Sequence, residues 1–315
     1  MRTWTFPVVA LLVLLAGFLL PRLITNPYFF YAGYVIAQFV VIATAWNILG
    51  GYAGYINFGA SAFFGAGAYT AALSFKAFGA SMLVQILAAG GVGVLCGVAM
   101  GYLTLRLQGI YFAIGTLALI VVFETFIQGF EYLGGARGLA ILVPPPPDWF
   151  GGQTQFVFCV ILSLAVVAVV IARWVERSWV GRGLRAIRAS EEAAECSGVP
   201  TLRLKLLACA ISGGFLSAAG APYPTYAAFI EPISAFSLSI GLNALAMPLI
   251  GGTRSWVGPV IGAILLGTAQ QFTTVTISSE LNLLVLGLVL IGFVAVAPGG
   301  LLELLQRLFP REIPT

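Results

Sequence analysis

Ten apolar runs, each near the length of one membrane crossing, follow one another along this chain at about 5–20, 28–49, 52–75, 82–105, 110–130, 154–173, 205–228, 234–252, 256–274 and 281–298. About 20 helical residues span the roughly 30 Å of hydrocarbon in a bilayer. Helices satisfy their own backbone polar groups there, which an isolated irregular or extended segment cannot do. The expected fold is therefore all-α: one polytopic membrane domain over 1–315 with about 8–10 transmembrane helices. Composition agrees, because soluble domains carry roughly a quarter charged residues whereas this chain is 8% charged and 60% hydrophobic, with a mean hydropathy of +1.02.

The first run follows Arg2, but Pro21-Arg22-Leu23 offers no small-residue cleavage site, so it reads as a signal anchor. Charge then sets orientation. Seven of the 15 Lys/Arg lie between Arg173 and Lys205, in a charged island at about 174–204. If the island is cytoplasmic, ten crossings place Arg2, Arg106, Arg254, Arg307 and Arg311 on the same side and leave only Arg22, Lys76 and Arg137 outside. Basic residues concentrate on the cytoplasmic side of membrane proteins, so both termini are expected to be cytoplasmic.

Several chemistries are excluded or disfavoured. The net charge of +4 follows from that bias, with no exposed basic patch on a soluble fold, so no nucleic-acid partner is expected. Cys96, Cys159, Cys196 and Cys209 form no C-x-x-C pair and there is no histidine, which argues against a metal site, disulfides and a histidine-based nucleophile. Neither lysine, Lys76 or Lys205, follows a glycine in a phosphate-binding loop, so the chain is expected to bind no cofactor and to hydrolyse no ATP itself. No catalytic residue is expected.

Two breaks interrupt the membrane domain. A loop at about 131–153, placed outside, carries Gly134-Gly135-Ala136-Arg137-Gly138 and then Pro144 to Pro147, a stretch that cannot be helical. The second break is the island, where the basic run Arg182, Arg185, Arg188 precedes Ser190-Glu191-Glu192-Ala193-Ala194-Glu195-Cys196-Ser197-Gly198. Glycines at Gly93, Gly97 and Gly101, and at Gly258 and Gly262, have the spacing that lets helix backbones touch. A short echo links Ile48-Leu49-Gly50-Gly51 to Leu249-Ile250-Gly251-Gly252.

Polar residues inside the runs are candidates for a translocation path, since in hydrocarbon they face a cavity or another helix. They include Asn47, Asn57, Thr116, Glu124 and Asn243. Glu124, the one carboxylate deep in a run, reads either as a substrate or proton site or as a glutamate bonded between helices. The stretch from Gly51 to Tyr69, with Gly59 and Gly65, has too many helix-weakening glycines for an ordinary lipid-facing helix. It reads either as a broken helix on a permeation path or as a tightly packed one.

Four motifs in order carry a family resemblance over residues 30 to 305: the glycine-rich 50–69 segment; Leu107-Gln108-Gly109-Ile110-Tyr111-Phe112-Ala113-Ile114-Gly115-Thr116; Gly181-Arg182-Gly183-Leu184-Arg185 with the Glu192-Ala193-Ala194…Gly198 loop; and Gly251-Gly252 followed by Gly258-Pro259-Val260-Ile261-Gly262. Together they resemble the branched-chain amino-acid permeases of ABC importers, and the M-type subunit most. The resemblance implies a multi-pass protein of the bacterial inner membrane working with a second, H-type permease, two cytoplasmic ATPase subunits that use the ATP, and an extracytoplasmic solute-binding protein. It makes Glu192, Ala193, Ala194 and Gly198, with Arg185 and Arg188 ahead of them, the residues that couple to the ATPases. The chain departs from the family pattern at Gly59-Ala60, at Gly135-Ala136-Arg137-Gly138 and at Arg254. Urea, short amides or other small organic acids therefore stand as alternative solutes, and an ATP-independent carrier or channel as the alternative class.

Overall fold

The computed structural model describes residues 5–24, 26–104, 109–141, 146, 150–276, 284, 287–288, 290–292 and 299–308. Among the described residues nine long helices carry the fold: α1 (Thr5–Leu23), α2 (Pro27–Ala53), α3 (Ala60–Phe78), α4 (Met82–Thr104), α5 (Ile110–Gln128), α6 (Gln153–Arg177), and, after the island, α9 (Thr201–Gly220), α12 (Leu238–Gly251) and α13 (Val257–Thr276). The island folds as α7 (Trp179–Ala189) and α8 (Glu191–Cys196), α10 (Tyr223–Ala227) and α11 (Pro232–Ala235) follow α9, and α14 (Leu301–Leu308) comes last. Seven helical stretches among the described residues are long and apolar enough to cross a membrane, and all fall on expected runs. Helices α3 and α13 have comparable lengths, 19 and 20 residues, but are diluted by Gly, Ser, Thr and Gln.

Helix α2 is the hub. Asn26 caps it, accepting from the Tyr28 amide at 3.0 Å, proline opens its first turn, and Gly54 closes it at φ +80°. Because its residues are apolar on every side, it can be buried all round. It is, with α6, α9, α12 and α13 packed about it. The glycine repeats explain the other close contacts. A methyl on Gly97 would lie 2.5 Å from the Cys209 carbonyl oxygen, and one on Gly93 would strike Gly213, so the expected α4 stripe is the seam with α9. Gly251, Gly258 and Gly262 likewise bring α12 and α13 backbone to backbone.

Successive long helices reverse direction, giving the bundle two ends. At the island end lie Phe6 of α1, the C-termini of α2, α6 and α12, and the start of α13, where Trp256 packs on Phe6 at 5.1 Å between centroids. At the other end Lys76 donates to the Tyr132 carbonyl at 2.7 Å and sits 4.3 Å over its ring. The segregation of Lys76 and Arg137 from the island follows the expected threading.

Four expectations need correcting. The 52–75 run is not one helix: α2 continues to Ala53, residues 54–59 are irregular, and α3 starts at Ala60. The 205–228 run bends at Ala221-Pro222, since proline cannot continue the hydrogen-bond ladder. The 131–153 loop is not free of regular structure: Leu139–Ala140 (β1) pairs antiparallel with Phe229–Ile230 (β2), a small ribbon beside the helices. Arg173 belongs to α6 rather than to the solvated island. It is 6% exposed, its guanidinium lying 3.9 Å from the Phe6 ring and 5.4 Å from that of Trp256. Arg2, Arg106, Arg311, most of the proline run and the 281–298 run lie outside the described residues, apart from isolated positions.

Candidate functional site

Helix α7 has one apolar stripe, Val180, Leu184 and Ile187, at helical spacing, and burying it leaves Arg182, Arg185 and Arg188 on the outer side. The chain then turns at Ser190, whose side chain accepts from the Ala193 amide at 3.3 Å, and opens α8. Ser190 is a favourable N-cap, and Glu191 and Glu192 suit the positive end of the helix. Gly198 ends it at φ +82°, with its amide on the Glu195 carbonyl at 2.9 Å. The short helix divides its own motif. Ala194 is 4% exposed and packs into the core, whereas Glu192 and Ala193 face outward.

Glu191 turns inward. Its carboxylate pairs with Lys205 of α9 and accepts from the Tyr55 hydroxyl at 2.5 Å, while Lys205 also reaches the Tyr55 oxygen at 3.3 Å. Burial alone would raise the Glu191 pKa, but hydrogen bonds from Lys205 and Tyr55 and the lysine charge outweigh it and hold the pKa below its ordinary value. One carboxylate thus ties α8 to α9 and to the irregular 54–59 segment. Tyr55 meets Phe112 of α5 edge-on at 5.0 Å, extending the link to a third element.

The 54–59 segment is itself held firmly. Trp46 donates to the Asn57 carbonyl at 2.6 Å, the Phe58 amide donates to the Thr116 hydroxyl at 3.1 Å, and the Gly59 amide donates to the Asn57 side chain at 2.8 Å. A side chain at Gly59 would lie 2.9 Å from the Thr116 carbonyl, so glycine lets α3 begin against α5. Trp46, Gly54, Tyr55, Phe58, Glu191 and Glu192 help to line a cavity of about 990 Å³ at the island end.

Arg188 closes the other side. It donates to the Gly51 carbonyl at the C-terminus of α2 and to Thr253 at 3.3 Å, bridging the two echoing glycine motifs. Glu176 is a second tie: it accepts from Tyr52 at 3.2 Å and from the Trp256 amide at 2.6 Å, while its backbone carbonyl accepts from Arg185 at 3.2 Å.

Of the path candidates, Asn57, Gly59 and Thr116 come together, and Asn47 is buried on α2 one turn before Gly51. The others lie apart. Gly65 packs under the Phe236 ring, Glu124 accepts from Gln128 of its own helix at 3.0 Å, and Asn243 of α12 accepts from Gln270 of α13 at 2.9 Å. The glycine-rich segment therefore divides: it is broken before Ala60 and tightly packed after it. Sequence reasoning passed over Glu191, Lys205, Tyr55 and Glu176. The available signal was Lys205, a cation at the start of an apolar run that needs a counter-charge.

A bundle of apolar helices, hinged on one side by a short capped helix that shows an acidic and a small residue to the outside, is a multi-pass membrane permease. The chain belongs to the family described as branched-chain amino acid transport system / permease component, whose model matches residues 28–294. Among its relatives are the high-affinity branched-chain amino acid transport system permease proteins LivM of Salmonella typhimurium and of Escherichia coli K12, each 26% identical over 293 residues, covering 84% of this chain and 68% of the relative. LivH of Salmonella typhimurium is also 26% identical, with 84% of this chain and 91% of the relative covered. The M-type resemblance read from the sequence agrees with the LivM relatives. No solved structure matches the chain.

Proposed function

We propose that this permease forms part of the membrane pathway of an ATP-driven importer of branched-chain or chemically similar small amino acids, working by alternating access in the bacterial inner membrane with the island and both termini in the cytoplasm. Its partners in this reading are an H-type permease, two ATPase subunits that bind and hydrolyse the ATP, and an extracytoplasmic solute-binding protein. The observation that carries it is the division of α8: Glu192 and Ala193 present an acidic and a small surface to a docking groove, while Glu191 and Ala194 fix the same helix to the core. Movement imposed on α8 would pass through Glu191 to α9 and to the 54–59 segment beside the 990 Å³ cavity. Such a device works only if the docked ATPases bind the two states with different affinity.

The test is to tag the chain, express it from its native gene cluster and identify what co-purifies. Two ATPase chains and a second permease retained by wild type, with the ATPase chains held more weakly by Glu192→Lys, support the reading. Recovery of the chain alone, with solute flux in liposomes that needs no ATP, contradicts it. Competition of labelled leucine uptake by valine and isoleucine, but not by urea or short amides, supports the amino-acid assignment.

A further inference from the structure

Three arginines converge on one small cavity at the island end. About 330 Å³ in volume, it is lined by Gly51, Tyr52, Arg185, Arg188, Ala189 and Arg254, with no carboxylate in its wall. Two carboxylates lie near it and both are engaged: Glu176 accepts from Tyr52 of the wall and from the Trp256 amide, and Glu191, three residues after Arg188, pairs with Lys205. The ion pair Lys205–Glu191 involves none of them, so none of the three guanidinium groups has an ion-pair partner among the described residues. Arg188 and Arg185 use part of their donor sets on the Gly51, Thr253 and Glu176 oxygens, and Arg254 makes no hydrogen bond among the described residues. A guanidinium has five N–H donors in a planar fork, so most of the donors around this cavity remain available. Burial and the charge of Arg254 both lower the pKa of Arg188, as uncompensated like charges would.

Cations held together against their own repulsion, over a cavity without a carboxylate, fit an anion with several acceptor oxygens, and a phosphoryl group matches the arginine fork best. Its depth points to the source. Trp174 and Trp179, on α6 and α7 at the same end of the bundle, are 63% and 59% exposed, as interfacial tryptophans at the headgroup level are. Helix α7 packs its apolar stripe into the protein core and turns its arginines outward at that same end. We propose that Arg185, Arg188 and Arg254 bind a phosphoryl group, supplied by the headgroup of an anionic phospholipid of the cytoplasmic leaflet. Lipid bound there would bridge α7 to the α12–α13 turn, the same junction that Arg188 spans.

The experiment uses the assembled transporter, reconstituted in bilayers of phosphatidylcholine alone or with phosphatidylglycerol, re-extracted gently and weighed by native mass spectrometry. Wild type should retain phosphatidylglycerol. Arg254→Ala, which removes no hydrogen bond or ion pair among the described residues, should lower retention about tenfold, the effect of losing one charge-assisted contact. Arg203→Ala, an exposed arginine of the same island outside the cavity, should leave retention unchanged. Inorganic phosphate is the second arm. If phosphate but not phosphatidylglycerol raises the melting temperature, and only with Arg254 present, the phosphoryl site stands and its lipid source is overturned. Equal retention by wild type and Arg254→Ala, with no response to phosphate, overturns the site.

Discussion

Glu191 and Lys205 form an ion pair that fastens α8 to the N-terminal part of α9, with the lysine side chain 5% and the glutamate 22% exposed. A cation so deeply placed is stable only with its counter-charge, because removing one partner leaves the other desolvated and unpaired. Lys205→Met or Glu191→Gln should each destabilise the detergent-solubilised permease by about 2–4 kcal/mol, toward the lower part of the range for buried pairs because Glu191 keeps some water contact. The swapped pair Glu191→Lys with Lys205→Glu should recover part of that loss. Thermal unfolding of the four proteins checks this, and a swapped pair no more stable than the weaker single variant would show that the pair does not act as a unit.

The acid side of the stability profile should depend on Glu191. Its folded pKa lies below its ordinary value, so the stability it contributes is complete above the unfolded value near 4.3 and is lost as pH falls through the folded one. Melting temperature should therefore fall more steeply below about pH 4.3 in wild type than in Glu191→Gln. Parallel acid limbs in the two proteins would contradict the assignment.

Helix α4 offers a matched pair of glycines. A methyl on Gly97 would meet the Cys209 carbonyl at 2.5 Å, whereas one on Gly91 would find nothing within 4 Å. Gly97→Ala should cost about 1–3 kcal/mol through overpacking, and Gly91→Ala should be neutral or stabilising by up to about 1 kcal/mol through helix propensity. Unfolding midpoints of the two variants give the comparison directly.

Arg188 places a cation on the last carbonyls of α2 and ties them to Thr253. Arg188→Ala should speed amide exchange around residues 50–54 and lower stability by about 1–2 kcal/mol. Arg188→Lys, which keeps the charge without the planar fork, should fall between the two. Unchanged exchange in Arg188→Ala would show that the bridge is not holding the end of α2.

The parts of this structure written locally were legible in the sequence. The spacing of Gly93, Gly97 and Gly101 announced a close seam because three- and four-residue intervals share a helix face. Ser190 and Gly198 marked the two ends of α8 by their capping chemistry. What stayed hidden depended on partners distant in the chain. Arg173 looked solvated because nothing nearby shows that Phe6 and Trp256 will close over it. The break at 54–59 was legible as one of two readings of the glycine-rich stretch, but its bounds were not, because Tyr55, Ile56 and Phe58 are as apolar as their neighbours and the bonds to Trp46 and Thr116 that hold the irregular backbone come from other elements. The polar path candidates scattered for the same reason: composition identifies Asn243 and Glu124 as polar in an apolar run, but not that Gln270 and Gln128 already bond them.

The central claim is that α8 couples this permease to ATP hydrolysis through its outward face. The direct measurement is solute-stimulated ATP hydrolysis by the reconstituted transporter carrying Glu192→Lys, a residue whose exposure leaves folding and membrane insertion intact. The account predicts that stimulation is abolished while the permease still inserts and melts as wild type does; normal stimulation in that variant would contradict it.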